Sequence, residues 1–233
     1  MNILITGYKG MLGSDLMEIL EKNEKYNLIP TDVDTLDITN LEAVKETFNE
    51  KKPDIVINVA AYTDVDGCET NRELAYNVNA IGPKNLAICC NENGAKLLHI
   101  STDYVFHGEN TVPYTEEDKT DPINYYGETK LVAEQLIQEN MNSYFILRTA
   151  WLYGYNGKNF VKTMLNLSKD HDEITVVNDQ QGSPTFTRDL AASMVEIIES
   201  DKYGIYHVTN SSTCTWYEFT KEIFEIANIN TNV

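Results

Sequence analysis

Short runs of branched apolar residues alternate with helical patterns along the first 150 residues, and this alternation most constrains the fold. Residues 2–6, 26–30, 54–58, 96–101 and 144–148 predict strands, and residues 11–22, 40–50, 71–93 and 124–140 predict helices. Strands joined through helices lie parallel, with helices on both faces of the sheet. We therefore predict an α/β fold with a doubly wound parallel sheet.

Three glycines directly follow the first predicted strand. Gly7, Gly10 and Gly13 form a GxxGxxG pattern between that strand and the next helix. The first glycine permits a tight turn, the second lets the backbone approach a pyrophosphate, and the third lets helix and strand pack closely. The helix N-terminus adds N–H donors and a partial positive charge. This order favours dinucleotide binding over an ordinary strand–turn–helix.

Asp32 follows the second predicted strand at about the 20-residue spacing from the glycines that places a carboxylate on the adenosine ribose. The alternative is a turn aspartate, because Asp34 and Asp37 share its loop. Residues 26–44 contain no Lys or Arg, so only Lys9 in the glycine loop could meet a 2′-phosphate. We therefore expect NADH or NADPH as cofactor, with NADH slightly favoured.

The alternation weakens beyond residue 150, where glycines and Pro184 separate short segments. Residues 1–150 therefore predict a dinucleotide-binding domain of Rossmann type. Residues 151–233 predict mainly a smaller substrate-binding lobe, with some segments returning to the Rossmann sheet. The connection 103–123 leaves the carboxyl end of a strand, where open α/β sheets bind ligands, and loops of that length are usually functional.

The composition narrows the range of partners. A formal net charge of −18 argues against nonspecific nucleic-acid binding and against an anionic membrane surface. Cys68, Cys89, Cys90 and Cys214 form no CxxC pair, which predicts reduced thiols and no metal site. The apolar stretch at the N-terminus is too short for a signal peptide or a membrane span. We expect a cytoplasmic protein.

Tyr126 and Lys130 stand one turn apart on a predicted helix. Residues i and i+4 share a helix face, so both side chains can lean toward one site. A nearby ammonium lowers the pKa of a phenol from about 10, which improves it as a proton donor. Ser101 or Thr102, at the end of a strand, can hydrogen-bond the phenol or a substrate carbonyl. With the glycine turn, these groups predict a hydride-transfer site; the pair alone could be a surface helix pair.

Several motifs resemble those of the extended short-chain dehydrogenase/reductase superfamily: the glycine turn, Asn58-Val-Ala-Ala61, Ser101-Thr102-Asp103 and Tyr126-xxx-Lys130. More narrowly, the chain resembles the dTDP-4-dehydrorhamnose reductase family from residue 1 to about residue 220. The stretches that carry the narrower resemblance are Ser101–Phe106 with Gly108, Tyr126–Lys130, Arg148–Tyr153, Asn159–Met164 and Asn178–Thr185. The last of these is considerably more specific than the superfamily motifs.

The glycine turn and the resemblance together imply a set of cofactor-binding residues. They are Gly7, Gly10, Met11, Leu12, Gly13, Asp32, Asp37, Ile38, Ala60, Ala61, Tyr62, Thr63, Tyr126 and Lys130. Among them, Ala61, Tyr62 and Thr63 would line the adenosine or the pyrophosphate.

The resemblance also implies catalytic roles. Tyr126 would protonate the alkoxide as nicotinamide delivers hydride to the C4 ketone of a dTDP-sugar, and Lys130 would bind the nicotinamide ribose and tune Tyr126. Thr102 would position the phenol or the substrate, and Asp103 would contact the sugar. Trp151 would pack against substrate; a core tryptophan is the alternative. The product would be dTDP-L-rhamnose, a donor for cell-surface polysaccharide.

Two other functions stay open. An epimerase or 4,6-dehydratase of the same superfamily would oxidise and re-reduce C4, but dehydratases typically carry Asp-Glu directly after the threonine, and here Asp103-Tyr104 follows Thr102. A non-catalytic regulatory subunit would resemble the methionine adenosyltransferase β subunit, although both Tyr126 and Lys130 are retained here.

The family resemblance bears on length and assembly. Family members usually continue well past the position of Val233, so we expect the substrate lobe to be truncated here. Some members dimerise through magnesium held by glutamates, which leaves magnesium as a candidate ligand and a monomer or a homodimer as the assembly. No ligands for it can be assigned, and Asp64, Asp66 and Glu69 are better explained as a solvated turn.

Overall fold

The computed structural model describes all 233 residues, and its strands centre on one large sheet. In chain order the strands are β1 Asn2–Thr6, β2 Asn27–Thr31, β3 Ile55–Asn58, β4 Lys96–Thr102, β5 Tyr144–Thr149, β6 Leu152–Tyr153, β7 Gln181–Gly182, β8 Thr185–Phe186, β9 Gly204–His207 and β10 Cys214–Thr215. Six of them form a parallel sheet in the order β2-β1-β3-β4-β5-β9. The other four form two separate two-stranded pairs, β6 with β8 and β7 with β10. The predicted α/β class with a parallel sheet is confirmed.

The helices occupy the connections between these strands. They are α1 Met11–Leu20, α2 Leu41–Lys51, α3 Val65–Thr70, α4 Arg72–Tyr76, α5 Gly82–Asn93, α6 Tyr125–Asn140, α7 Phe160–Leu167, α8 Thr187–Ile198 and α9 Trp216–Ala227. Asn40 caps α2 by accepting the amides of Glu42 and Ala43. The predicted long helix over 71–93 is confirmed as a helical segment from Arg72 to Asn93, but a π-helical turn over Asn77–Ile81 separates α4 from α5 within it.

The sheet is covered on both faces, and the alternation of side chains along the strands decides which face each residue meets. Ile3 and Ile5 of β1 join a core with α1 and α8. Leu4, between them, joins a second core with α2, α5 and α6. Each core contains 15 buried residues, so the doubly wound arrangement is supported equally from both sides.

The position of β1 determines where a ligand can enter. Both β2 and β3 pair with β1, so the chain order reverses there and leaves a crevice outside the carboxyl ends of β1 and β3. Thr6 and Asn58, the last residues of these two strands, are partners in the register.

The C-terminal part of the chain is divided between two locations. α7 and α9 pack on a small cluster whose buried members are Met164, Ile223 and Phe224. In contrast, β9 pairs with β5 in the main sheet, and α8 belongs to the core beside α1. None of the helices combines the length and the apolar character that crossing a membrane requires.

Candidate active site

A cleft of about 420 Å³ opens at the carboxyl ends of the first three strands. Its walls are formed by Thr6, Gly7, Lys9, Gly10, Asp32, Val33, Leu36, Asp37, Ile38, Thr39, Val59, Ala60, Ala61 and Val78. Seven of the predicted cofactor-binding residues are among them: Gly7, Gly10, Asp32, Asp37, Ile38, Ala60 and Ala61. The sequence pattern therefore located the cleft, at the crevice that the strand order creates.

The three glycines meet three different steric demands. Gly7 has φ +76, and a Cβ there would lie 2.7 Å from the Cα of Ala60, so the turn needs a residue without a side chain. A Cβ on Gly13 would clash with the carbonyl of Gly7, so this position brings α1 close to the turn. At Gly10, only the Gly7 carbonyl, at 3.2 Å, would stand near a Cβ. The cleft side of Gly10 is thus open to a ligand.

The N-terminus of α1 fits an anionic group. Gly10 occupies the cap position in extended conformation, and no side chain caps the helix. The amides of the first turn therefore keep their donor capacity and the partial positive charge of the helix end. Met11, Leu12 and Gly13 lie in this first turn rather than in the cleft wall, so their predicted contacts would be made through backbone N–H groups.

Acidic groups surround the outer end of the cleft. Asp32 accepts hydrogen bonds from the backbone amides of Lys9 at 3.2 Å and Val33 at 2.9 Å. The Lys9 ammonium lies 2.6 Å from the Asp34 carboxylate and holds the pKa of that carboxyl below its usual range. Asp37 lines the same cleft. The only lysine at this end is therefore already paired.

Thr102, Asp103 and Tyr126 come together where β4 ends and α6 begins. The Thr102 hydroxyl donates to the Asp103 carboxylate at 3.0 Å and accepts from the Tyr104 amide at 3.2 Å, which holds a short 3-10 turn over Asp103–Val105. A Cβ on Gly127 would collide with the Tyr104 carbonyl. Glycine at 127 therefore lets the first turn of α6, with Tyr126, dock against this turn.

The electrostatics around Tyr126 differ from the prediction. Burial raises the pKa of Tyr126 well above that of a free phenol, the Asp103 carboxylate raises it further, and Thr102 acts in the opposite direction. Burial also raises the pKa of Asp103 to about 6. The predicted lowering of the Tyr126 pKa by Lys130 is wrong for this arrangement, because the Lys130 side chain turns toward β4.

Lys130 is buried, with 2% of its surface exposed. Its Nζ donates to the carbonyl of Ile100 at 2.6 Å and lies 3.1 Å from Nε2 of His99. Burial lowers the pKa of Lys130 to about 8, and the Glu134 carboxylate one turn along α6 opposes that shift.

A family model described as "RmlD substrate binding domain" matches residues 1–233. The chain belongs to this family.

Several proteins and solved structures that are similar to this chain have names that indicate a function. The chain is 43% identical over 231 residues to "Spore coat polysaccharide biosynthesis protein SpsK" of Bacillus subtilis, covering 99% of this chain and 81% of that protein. A crystal structure of a dTDP-4-dehydrorhamnose reductase from Clostridium acetobutylicum is 51% identical with a TM-score of 0.98, covering 100% of this chain and 82% of the other. A dTDP-4-dehydrorhamnose reductase from Bacillus anthracis, solved in complex with NADP, is 48% identical with a TM-score of 0.97 and the same two coverages.

Trp151, predicted to contact substrate, is held in a strained position. Its φ is +48, which is unusual for a bulky residue. Its ring stacks on that of Trp216, with centroids 3.4 Å apart and planes 9° apart. A Cβ on Gly182 would collide with the Trp151 ring. The structure thus brings Trp151 together with the 178–185 stretch that carried the family resemblance.

Some residues of the site were missed by sequence reasoning. Thr6, Val33, Leu36, Thr39 and Val59 line the cleft and are close in sequence to predicted residues, so the strand ends would have indicated them. Val78 reaches the cleft from the π-helical turn, which helical periodicity does not reveal.

Two more missed residues lie outside the cleft wall. His99 is a polar residue inside an apolar strand, which was an available signal for a specific role. Trp216 is distant in sequence from Trp151, and nothing in the sequence paired them.

Besides the first turn of α1, four predicted cofactor residues and the acidic turn lie outside the cleft wall; Tyr126 and Lys130, described above, are two of the four. Tyr62 exchanges hydrogen bonds with Asn79, and neither Tyr62 nor Thr63 forms part of the cleft wall. Asp64 caps α3, and Glu69 pairs with Arg72 at 2.8 Å. No group of three or more His, Cys, Asp or Glu side chains could hold a metal ion.

Proposed function

We propose that the protein reduces the C4 ketone of dTDP-4-dehydro-L-rhamnose to give dTDP-L-rhamnose, with NADH or NADPH as cofactor. The observation that carries this proposal is the meeting of Thr102, Asp103 and Tyr126 on the same edge of the sheet as the glycine cleft. Membership of the family and the names of its relatives support the choice of sugar. The residues of the cleft would hold the nicotinamide cofactor, which would supply the hydride.

The proton comes from Tyr126. Burial raises the pKa of Tyr126, so the phenol is fully protonated at neutral pH and can donate its proton as the carbonyl oxygen becomes an alkoxide. The same burial disfavours the phenolate that remains, and Thr102, which shifts this pKa the other way, stabilises it. Asp103, next to Thr102, is positioned to accept a hydrogen bond from a sugar hydroxyl.

A coupled assay tests the reaction directly. Purified protein is mixed with enzymatically generated dTDP-4-dehydrorhamnose and NADH or NADPH, and cofactor oxidation is followed with product analysis. We expect stoichiometric oxidation and dTDP-L-rhamnose. No oxidation above a Tyr126→Phe control would reject the reductase and, if cofactor still binds, favour a regulatory role. Conversion of the sugar without added reduced cofactor would favour an epimerase or a dehydratase.

We propose further that NADH is preferred over NADPH. A 2′-phosphate near Asp32 would face two more carboxylates, Asp34 and Asp37, while Lys9 is already engaged by Asp34. Titration of the protein with each cofactor should give a lower Kd for NADH, and Asp32→Ala should narrow the difference. Equal or tighter binding of NADPH by the wild type would contradict the preference; the Bacillus anthracis relative was solved with NADP.

We propose that the reaction takes place in the cytoplasm and that the protein acts as a monomer or a homodimer. Light scattering after size-exclusion chromatography distinguishes the two assemblies. Rates measured with added Mg²⁺ and with EDTA test whether magnesium contributes, since the described carboxylates of the 64–69 turn already have partners or are solvated.

A further inference from the structure

A chain of buried polar side chains crosses the sheet beneath the proposed site. Thr6, Asn58 and His99 are neighbours across β1, β3 and β4, and Lys130 reaches them from α6. At most 2% of the surface of any of these residues is exposed. Successive polar atoms are 2.6 Å apart from Thr6 to Asn58, 2.9 Å from Asn58 to His99 and 3.1 Å from His99 to Lys130. Because these side chains are buried, each of their donors needs an acceptor.

The direction of one hydrogen bond in this row of polar side chains is fixed by a backbone amide. The backbone N–H of Ala60 donates to Oδ1 of Asn58 at 3.2 Å, and a backbone amide can only donate. The Thr6 hydroxyl donates to the same oxygen. The carbonyl of the Asn58 side chain therefore faces Ala60, and its NH₂ group faces Nδ1 of His99.

This orientation determines the tautomer of His99. An amide NH₂ has only protons to offer, so Nδ1 of His99 must accept, and the ring proton must sit on Nε2. A doubly protonated ring is incompatible with the same contact. Complete burial and the neighbouring Lys130 lower the pKa of His99 well below its usual value, in agreement with a neutral ring.

The Nε2–H of His99 points at Nζ of Lys130. An ammonium has three donors and no lone pair, whereas a neutral amine can accept from His99 and still donate to the carbonyl of Ile100. We propose that His99 is a positioning residue whose Nε2–H, fixed through Asn58 by the Ala60 amide, holds Lys130 as a neutral amine against β4. This deepens the proposed function, since it concerns the state of a residue assigned to the cofactor.

The carboxylate nearest to Lys130 does not explain a neutral amine, because a negative charge stabilises the ammonium. Glu134, on the same helix, favours the ammonium, but its carboxylate also binds Arg148 at 3.0 and 2.7 Å and accepts from the Ser101 hydroxyl at 2.5 Å. Burial lowers the pKa of Lys130 to about 8. The hydrogen bond that Nε2–H of His99 donates to Lys130 lowers the pKa of Lys130 in the same direction as burial does.

This arrangement links the charge on Lys130 to the wall of the cleft. Protonating Lys130 requires either release of His99 or a turn of the Asn58 amide, and the turned amide would present its NH₂ group to the Ala60 N–H. Since Ala60 and Ala61 line the cleft, movement of that backbone segment would change the proton affinity of Lys130.

Nitrogen-15 NMR of the histidine rings in the wild-type protein tests the first step. We expect His99, identified by loss of its signal in His99→Gln, to be the Nε2–H tautomer across neutral pH. A Nδ1–H tautomer or an imidazolium would overturn the proposal. This measurement needs no substrate, so its outcome is independent of whether the proposed reduction occurs.

The variant Asn58→Asp tests the link to Lys130. A carboxylate accepts from the Ala60 amide and also from Nδ1–H of His99, so it reverses the tautomer and turns Nε2 into an acceptor for an ammonium. Carbon-13 NMR of labelled lysine, with Lys130 identified through Lys130→Met, should show its pKa rising by about one unit or more, which is a tenfold change in proton affinity.

Thr6→Val is the matched control, because it removes a hydrogen bond to the same Asn58 oxygen but leaves the Ala60 contact; the pKa of Lys130 should stay unchanged. An unchanged pKa in a folded Asn58→Asp protein would overturn the proposal. If that variant does not fold, the wild-type titration decides: Lys130 charged at pH 7 would overturn the proposal, and a neutral amine there, below the pKa of about 8 that burial gives, would support it.

Discussion

The two ends of the proposed site are built differently. The cofactor end is shaped by backbone: a glycine turn, an uncapped helix end and strand termini, resting on two cores of 15 buried residues each. The substrate end is shaped by side chains, with Trp151 in a left-handed conformation stacked on Trp216 beside a cluster of only three buried residues. We infer that substitutions that add side-chain atoms impair the cofactor end, whereas substitutions that remove side-chain atoms impair the substrate end.

The largest effect is expected at Tyr126, where the two ends meet. Tyr126→Phe removes the proton donor and should lower kcat by roughly 10²- to 10⁴-fold, the usual contribution of a positioned acid, in a protein that still folds and binds cofactor. Tyr125→Phe, the same change one residue away on a ring packed against Arg72, is the control and should keep most activity. Similar losses in both variants would show that the effect is structural.

A single added methyl group should disable the cofactor end. Gly7→Ala meets a left-handed φ, which costs about 1–2 kcal/mol, and also places a Cβ against the Ala60 backbone. Gly94→Ala has a similar φ of +70 with open space around the Cβ, so it isolates the conformational part. Calorimetry and NADH titration should show a larger fall in Tm for Gly7→Ala, and weaker NADH binding in that variant only. Equal falls in Tm and equal NADH binding in the two variants would mean that the contact between a Cβ at position 7 and the Ala60 backbone has no effect.

Removing an aromatic ring should affect only the substrate end. Trp216→Leu takes away the stack on Trp151, a kind of contact worth about 0.5–1.5 kcal/mol beyond its buried area. We expect KM for the sugar to rise roughly 2- to 10-fold with cofactor Kd unchanged. Tyr217→Leu, the next residue on α9, provides a comparison. A change in cofactor Kd in Trp216→Leu would show that the two ends are not independent.

The smallest effect concerns the pH dependence of stability. Asp103 has a pKa of about 6 when folded, against about 3.9 when unfolded. Between these values the folded state keeps a proton that the unfolded state has lost, so this group makes stability fall as pH rises through that window. Asp103→Asn should remove this fall in the free energy of unfolding. The fall is at most about 1 kcal/mol, because the Asp103 side chain is partly exposed.

Urea unfolding of wild type and Asp103→Asn at several pH values from 4 to 7 measures this difference. Asp66→Asn, at an exposed position of α3, controls for the loss of one negative charge. Parallel pH profiles for wild type and Asp103→Asn would refute the assignment of a raised pKa to Asp103.

The contrast between the two ends also explains what the sequence could predict. The first five strands were placed within one residue, because apolar runs bounded by turns determine a sheet buried on both faces; β9, the sixth strand of that sheet, was not placed. The glycine turn was predicted for the same local reason. The π-helical turn at Asn77–Ile81 was not, because one extra residue in a helical turn leaves the apolar pattern almost intact.

Features that depend on distant residues escaped prediction. The i, i+4 spacing placed Lys130 on the same helix face as Tyr126, but the buried His99 and the Ile100 carbonyl drew its side chain away. The stack of Trp151 on Trp216 joins residues far apart in the chain, and no local pattern pairs them. The residue types at the site were therefore predictable, while their hydrogen-bond partners and pKa directions required the three-dimensional arrangement.

The last strand of the main sheet, β9, has a consequence for how the protein is made. Residues 204–207 pair with β5, although five strands of that sheet are complete by residue 149. During synthesis on a ribosome, the edge of β5 therefore stays unpaired while more than fifty further residues are added. An exposed strand edge is a template for pairing with other chains. A pause in translation before residue 204 would prolong that exposure, and the nascent chain would depend on chaperones most during that interval.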